Sequence, residues 1–342
     1  MTDDPFGPEA GDPRYLPELP VPGPPPVPGV VPPPVTPPPP GTPPPGTPVP
    51  GSLKPSGADG WRWYYALLAF FGGLVVSQIA VLIIGVIWVA TSGKDLDVLQ
   101  DDSSFIVVAS AVNEILFIAT AVFVARMSGS FAWRDFGLVR APFKRTVILM
   151  AAVMATYFLI LGIYNELVNL APDDAPEKLG AGAGELRMLC FALLVAVLAP
   201  IAEEIFFRGM IFRALWNGIG LWPAAIVSGL LFGALHIDAG TAERLLQVVP
   251  LAILGVSFAL LYSWTGTLYS TIALHATNNA IAVAAFAEEH NSDFGLVLAG
   301  VLWVLMMLGC GFGYLVTDRK TDVPPNEFPG GGDGPVEYAL PR

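Results

Sequence analysis

Residues 193–212 read LLVAVLAPIAEEIFFRGMIF. This run is apolar enough to cross a bilayer, which takes ~20 residues of helix. Yet it carries Glu203, Glu204 and Arg208. An ionisable group at the centre of a span costs ~3 kcal/mol or more, so by default it marks function. Two further apolar segments carry polar groups. SGLLFGALH, residues 228–236, ends in His236, and TIALHATNNAIAVAAF, residues 271–286, holds His275, Asn278 and Asn279. The chain has three histidines, and two of them fall in this set.

The rest of the chain sets the solvent for these segments. Of 342 residues, 54% are hydrophobic and only 13% charged. A soluble domain averages about 25% charged residues, so most of this chain reads as lipid-solvated. Successive apolar runs predict about eight helices, near 63–92, 104–126, 145–170, 186–214, 221–237, 245–263, 267–287 and 295–317. The fold class is an all-α, polytopic membrane bundle over 61–317. Residues 1–55 hold 23 of the 34 prolines. Proline lacks an amide donor and fixes φ, so a tail over 1–58 is expected to be disordered and extended. A Pro-binding partner is one use for it; a plain spacer is the simpler reading. Residues 318–342 read as a second disordered tail. The N-terminus is acidic and Pro-rich, so no cleavable signal is expected.

Charge distribution gives an orientation. Arg126, Arg134, Arg140, Lys144 and Arg145 cluster between the second and third runs, and Arg319 and Lys320 follow the last. The stretches KDLDVLQDD, APDDAPEK and AEEHNSD are largely acidic. By the positive-inside rule both termini are cytoplasmic, and a bacterial plasma membrane is the expected location. The net charge of −12 excludes nucleic acid as a partner. Two cysteines, Cys190 and Cys310, allow neither a disulfide framework nor a thiolate zinc site.

Helix geometry then divides the roles. Adjacent Glu203 and Glu204 point ~100° apart, which predicts separate tasks. Glu204 and Arg208 stand four apart with the acid first, the favourable order for an ion pair. Glu203 is left as a candidate general base. Pro200 is expected to bend the helix nearby. His275 and Asn279, also four apart, share a face and could donate two hydrogen bonds to an oxyanion, with Asn278 as the competing amide. Counted from the intervening turn, Glu203 and His236 reach similar depth on neighbouring helices. Singly, each has a structural reading: a core histidine, a Glu–Arg tie between helices, an interhelical amide. Together they point to a site.

These residues resemble the motifs of the CPBP family, intramembrane proteases related to the type II CAAX prenyl endopeptidase and to bacteriocin-processing or immunity proteins. Its EExxxR motif matches Glu203, Glu204 and Arg208. Its FxxxH motif matches Phe232 and His236, and HxxxN matches His275 and Asn279. The motif core covers 185–290. The resemblance implies hydrolysis of a peptide bond in a membrane-associated protein or peptide. It implies catalytic roles for Glu203, Glu204, His236, His275 and Asn279: water activated by Glu203 and His236, and an oxyanion hole from His275 and Asn279. Arg208 would be the charge partner. Either no cofactor or a single divalent metal is implied, zinc being possible with Glu203, His236 and His275 as ligands. The chain lacks HExxH, and a metal-free glutamate mechanism uses the same residues. Two other functions fit the residues less well. One is a non-hydrolytic immunity or scaffold protein that keeps the fold; the other is a proton-coupled transporter.

Overall fold

The computed structural model describes residues 61–129, 131–168, 175–236 and 242–317. Both tails, and Asp238 beside His236, lie outside the described residues. Eight long helices run through the described chain: α1 (Tyr64–Ser92), α2 (Ser103–Arg126), α3 (Phe143–Val168), α4 (Glu185–Ile219), α5 (Leu221–Ala234), α6 (Ala242–Thr265), α7 (Leu268–Glu289) and α8 (Asp293–Val316). No strand occurs among the described residues. Each expected segment is found as a helix, with ends displaced by a few residues. The expectation of about eight helices holds, and they differ in length and apolar character. Six of the eight are long and apolar enough to cross a membrane. At 14 residues α5 is too short. Thr271, His275, Thr277, Asn278 and Asn279 dilute the apolar character of α7.

The helices sort by burial. Half or more of the most apolar stretch is buried in α4 and α6, at 56% and 50%, against 17–28% in α1, α2, α3 and α8. Leu82, Phe123, Ile148, Leu159 and Phe312 on those outer helices stand exposed. Such a surface suits lipid, because all backbone groups are satisfied within the helices. The protein is thus an integral, multi-pass membrane protein with α4 at its centre. Around α4, Phe206, Phe207, Met210, Ile211 and Phe212 are fully buried. The Phe206 ring stacks on Phe117 of α2, with centroids 4.5 Å apart and planes at 12°.

Two local features of the sequence shape the centre. First, α4 departs from α-geometry: Leu194–Leu198 and Glu204–Phe212 are π-registered, with Ala199–Glu203 between them. Single-turn π segments are a recurrent mark of functional sites. Second, α5 and α6 touch backbone to backbone. A Cβ on Gly255 would lie 2.8 Å from Gly229 Cα, and one on Gly233 2.9 Å from Val248 O. Only glycine permits this approach. It draws α6 inward and brings Gly255 O to within 3.3 Å of Arg208 Nη2.

The basic loop between α2 and α3 is tied to the bundle. Tyr262 Oη donates to Phe136 O (2.9 Å), Thr267 Oγ1 to Val139 O (2.6 Å), and Arg140 Nε to Tyr314 O (2.7 Å). At the opposite ends of the helices, Asp102 caps α2 by accepting from Ser104 N and Phe105 N. It also accepts from Lys94 Nζ (2.6 Å) and Trp88 Nε1 (3.1 Å). These bonds, the Lys94 one foremost, hold its carboxyl at about 2, below the ordinary 3.8.

Candidate active site

Four of the six residues singled out in the sequence form a continuous polar line inside the bundle. Arg208 Nη1 lies 2.8 Å from Glu204 Oε1, and both side chains are fully buried. The expected pairing four residues apart is therefore present, although the segment is π-registered. Phe207, Phe232 and Phe258 surround the guanidinium, their centroids 5.8, 4.7 and 5.0 Å from its carbon. Ring faces of this kind attract a cation and seal it from lipid.

Glu204 does more than hold Arg208. Its Oε1 also lies 3.0 Å from His275 Nδ1. With Glu204 ionised against Arg208, Oε1 accepts, which assigns a proton to His275 Nδ1 and leaves Nε2 facing onward. That Nε2 is 3.8 Å from Glu203 Oε2. The two glutamates therefore meet opposite nitrogens of one imidazole. Helical angles alone predicted separate tasks but did not give this shared neighbour. The line runs Arg208, Glu204, His275, Glu203. His275 is 3% exposed and Glu203 8%, so the Glu203 end is the more open.

The remaining two residues stand apart from that line. His236 closes α5 as an exposed residue, and its Nδ1 is 2.9 Å from Phe232 O, one turn back. The Phe232 ring is the shared neighbour of both imidazoles, 5.1 Å from His236 and 5.9 Å from His275. Asn279 gives its Nδ2 to Val195 O at 2.8 Å, and its Oδ1 accepts from Asn278 Nδ2 at 3.1 Å. The reason lies in α4. Ala199 N–H bonds Leu194 O in π register. The next bond in that register would come from residue 200, but Pro200 has no N–H. Val195 O is thus left without a helical donor, and a buried carbonyl needs one. Asn279 supplies it and ties α7 to the turn that precedes Glu203.

The metal set read from the sequence does not gather. Among the described residues no group of three or more His, Cys, Asp or Glu side chains is placed to hold a metal ion. Glu203 and His275 are close, but His236 bonds its own helix from the exposed side. These donors do not fit a zinc centre in this arrangement.

One polar residue of this region has no part in the motifs. Glu114 of α2 is buried, and the charge of Glu203 acts on it. The signal for it was available. SAVNEILFIATAVF, residues 110–123, contains an ionisable residue in an apolar run, as the three motif segments do.

Comparison with known proteins finds relatives over the same part of the chain. Residues 185–281 match the Rce1-like family of type II CAAX prenyl endopeptidases. The membrane-embedded CAAX protease MroQ of Staphylococcus aureus is 32% identical over 157 residues, covering 42% of this chain and 60% of MroQ. YdiL of Bacillus subtilis, described as a membrane peptidase, is 27% identical over 116 residues, or 32% of this chain. That alignment spans 45% of YdiL, less than half its length. The uncharacterized YyaK of Bacillus subtilis is 25% identical over 252 residues, 69% of this chain and 80% of its own. No solved structure matches the chain at comparable stringency. The match to the Rce1-like family spans α4, α5, α6 and the motif half of α7 in this multi-pass membrane protein.

Proposed function

We propose that the chain is an intramembrane endopeptidase of the CAAX type in which Glu203 is the general base. The observation that carries this is the line Arg208–Glu204–His275–Glu203. Arg208 neutralises Glu204, and Glu204 fixes the tautomer of His275. Glu203 is left at the less buried end of the line without a cation of its own, with an oriented imidazole beside it. A carboxylate so placed takes a proton from water. The hydroxide adds to the substrate's carbonyl carbon. When the C–N bond breaks, Glu203 returns the proton to the leaving nitrogen, and the products are a carboxylic acid and an amine.

His275 has a second part in this scheme. Backed by Glu204 at Nδ1, it can carry a proton on Nε2 as well and donate it to the tetrahedral oxyanion. Asn279 serves by fixing the α4 turn through Val195 O. His236 would join water activation only from the exposed side of Phe232, so the base's work is assigned to Glu203. A buried polar line within an otherwise apolar bundle suits a substrate that arrives through or along the membrane, such as a lipidated C-terminal peptide. The alternation of basic and acidic loops supports a cytoplasmic approach to the site.

The test is hydrolysis by purified protein in lipid nanodiscs, presented with farnesylated CAAX peptides and their unlipidated counterparts. Wild-type protein should cleave, and Glu203→Gln, an isostere without the base, should not, at equal folded yield. Cleavage that persists in Glu203→Gln would remove Glu203 from the mechanism.

A further inference from the structure

Helices α1, α2 and α4 meet around a layer made of Gly73, Phe117 and Phe206. A Cβ on Gly73 would lie 3.0 Å from Phe206 Cζ and 3.7 Å from Phe117 Cδ1. The helix directions can be read from contacts at other levels. A Cβ on Gly85 would lie 3.8 Å from Phe105, so α1 runs antiparallel to α2. Arg187 near the start of α4 donates to Ser103 at the start of α2, at 2.7 Å, so α2 and α4 run parallel.

One helical turn from that aromatic layer, in the direction of the α2 and α4 N-termini, each helix presents a polar residue. Four residues on from Gly73 along α1 is Ser77, three back from Phe117 along α2 is Glu114, and three back from Phe206 along α4 is Glu203. Positions three or four apart share an α-helical face, so Ser77 and Glu114 turn to the side of that layer, and Glu203 lies near enough for its charge to act on Glu114. Ser77 is 2% exposed and Glu114 7%. Ser77 Oγ and Glu114 Oε2 have no hydrogen-bond partner within the protein. Among the described residues no cation pairs with Glu114. Leaving such groups unmet costs about 1–3 kcal/mol each, more when charged. Two of them on one level beside the base therefore call for a ligand.

We propose that Ser77 and Glu114 seat a water molecule beside Glu203, which makes Glu114 a positioning residue for the base. This rests on the peptidase reading for its use, though not for its existence. The donor and acceptor inventory closes. A buried water makes about three hydrogen bonds. It gives one hydrogen to Glu114 Oε2 and the other to Glu203, and accepts the Ser77 hydroxyl hydrogen. The seat lies on the α1–α2 side of Glu203, away from His275 of α7.

Radiolytic labelling of the full chain in nanodiscs in oxygen-18 water reads this site without substrate. Hydroxyl radicals form where water is bound and mark adjacent rings. Phe117 and Phe206 should gain label well above Phe212, a ring as buried as Phe206. Glu114→Leu should bring both to the Phe212 level, whereas Glu114→Gln, which still accepts a hydrogen bond, should keep them labelled. Ser77→Ala should lower the label too, and it decides the matter if Glu114→Leu does not fold. Phe117 and Phe206 no more labelled than Phe212 in the wild type, or label that survives Glu114→Leu, or in its place Ser77→Ala, overturns the proposal. Label present in a protein that cleaves nothing would keep the water seat and sink the peptidase reading alone.

Discussion

Glu204 Oε1 is held between two groups, Arg208 Nη1 at 2.8 Å and His275 Nδ1 at 3.0 Å. The adjacent acid, Glu203, touches neither at such range. The two glutamates should therefore fail differently. Glu204→Gln leaves Arg208 buried without its counter-charge, which costs ~3–5 kcal/mol. Thermal unfolding of the purified variant should show a large loss, and activity should fall further than the folded fraction, because His275 loses the carboxylate that backs it. Glu203→Gln should melt close to the wild type. A stable but inactive Glu204→Gln would exchange their roles.

Asn279 is expected to matter through the backbone of α4. Asn279→Ala strands Val195 O, and an unmet buried carbonyl costs about 1–3 kcal/mol. Pro200→Ala restores an N–H at the position that could reach that carbonyl in π register. The double variant Pro200→Ala/Asn279→Ala should therefore recover stability relative to Asn279→Ala alone. Strictly additive losses in a double-mutant cycle would show that the amide acts elsewhere.

The orientation is checked on exposed loop positions. In a background lacking Cys190 and Cys310, Arg134→Cys should react with an impermeant maleimide only from the cytoplasmic side. Glu177→Cys should react only from the outside. The opposite pattern would turn the protein over in the membrane and close the cytoplasmic route to Glu203.

Asp102 gives a prediction in pH. Its folded-state value of about 2 lies below the ordinary 3.8. A depressed carboxylate contributes stability that is fully present above the unfolded value and is lost as pH falls through the folded one. Melting followed through Trp88, which donates to Asp102, should weaken as pH drops from about 4 toward 2. Asp102→Asn keeps the helix cap but loses the charge partner of Lys94. Its melting should be flatter over that window; an unchanged slope would show that other acids set it.

Much of this arrangement is legible in the chain. Apolar run lengths fix eight helices because the backbone has no other way to satisfy itself in lipid. The Glu204–Arg208 pair follows from a spacing of four and the cost of a buried cation. The meeting of both glutamates on His275 does not follow, because it depends on how α7 packs against α4. Asn279's partner is equally hidden: Pro200 is visible, but the π register that leaves Val195 O open is not. Glu114 is a different case. The rule that singled out Glu203 applies to it equally, and the lack of a recognised motif around it is what let it pass.

The π-registered stretch Glu204–Phe212 means that the EExxxR segment has a length as well as a spelling. A helix in this register behaves as an α-helix that has absorbed an inserted residue. Deleting one residue among 205–207 would relax the turn but bring the Glu and Arg of the pair three apart instead of four. Deleting one among 209–212 would preserve the pair and let the turn relax to α-geometry with the helix beyond it kept in phase, so Asn217 Nδ2 would still meet Trp61 O, to which it now donates at 3.0 Å. A single-residue gap between related chains in this segment would therefore record the loss of the π turn, and its place before or after Arg208 decides whether the ion pair keeps its spacing.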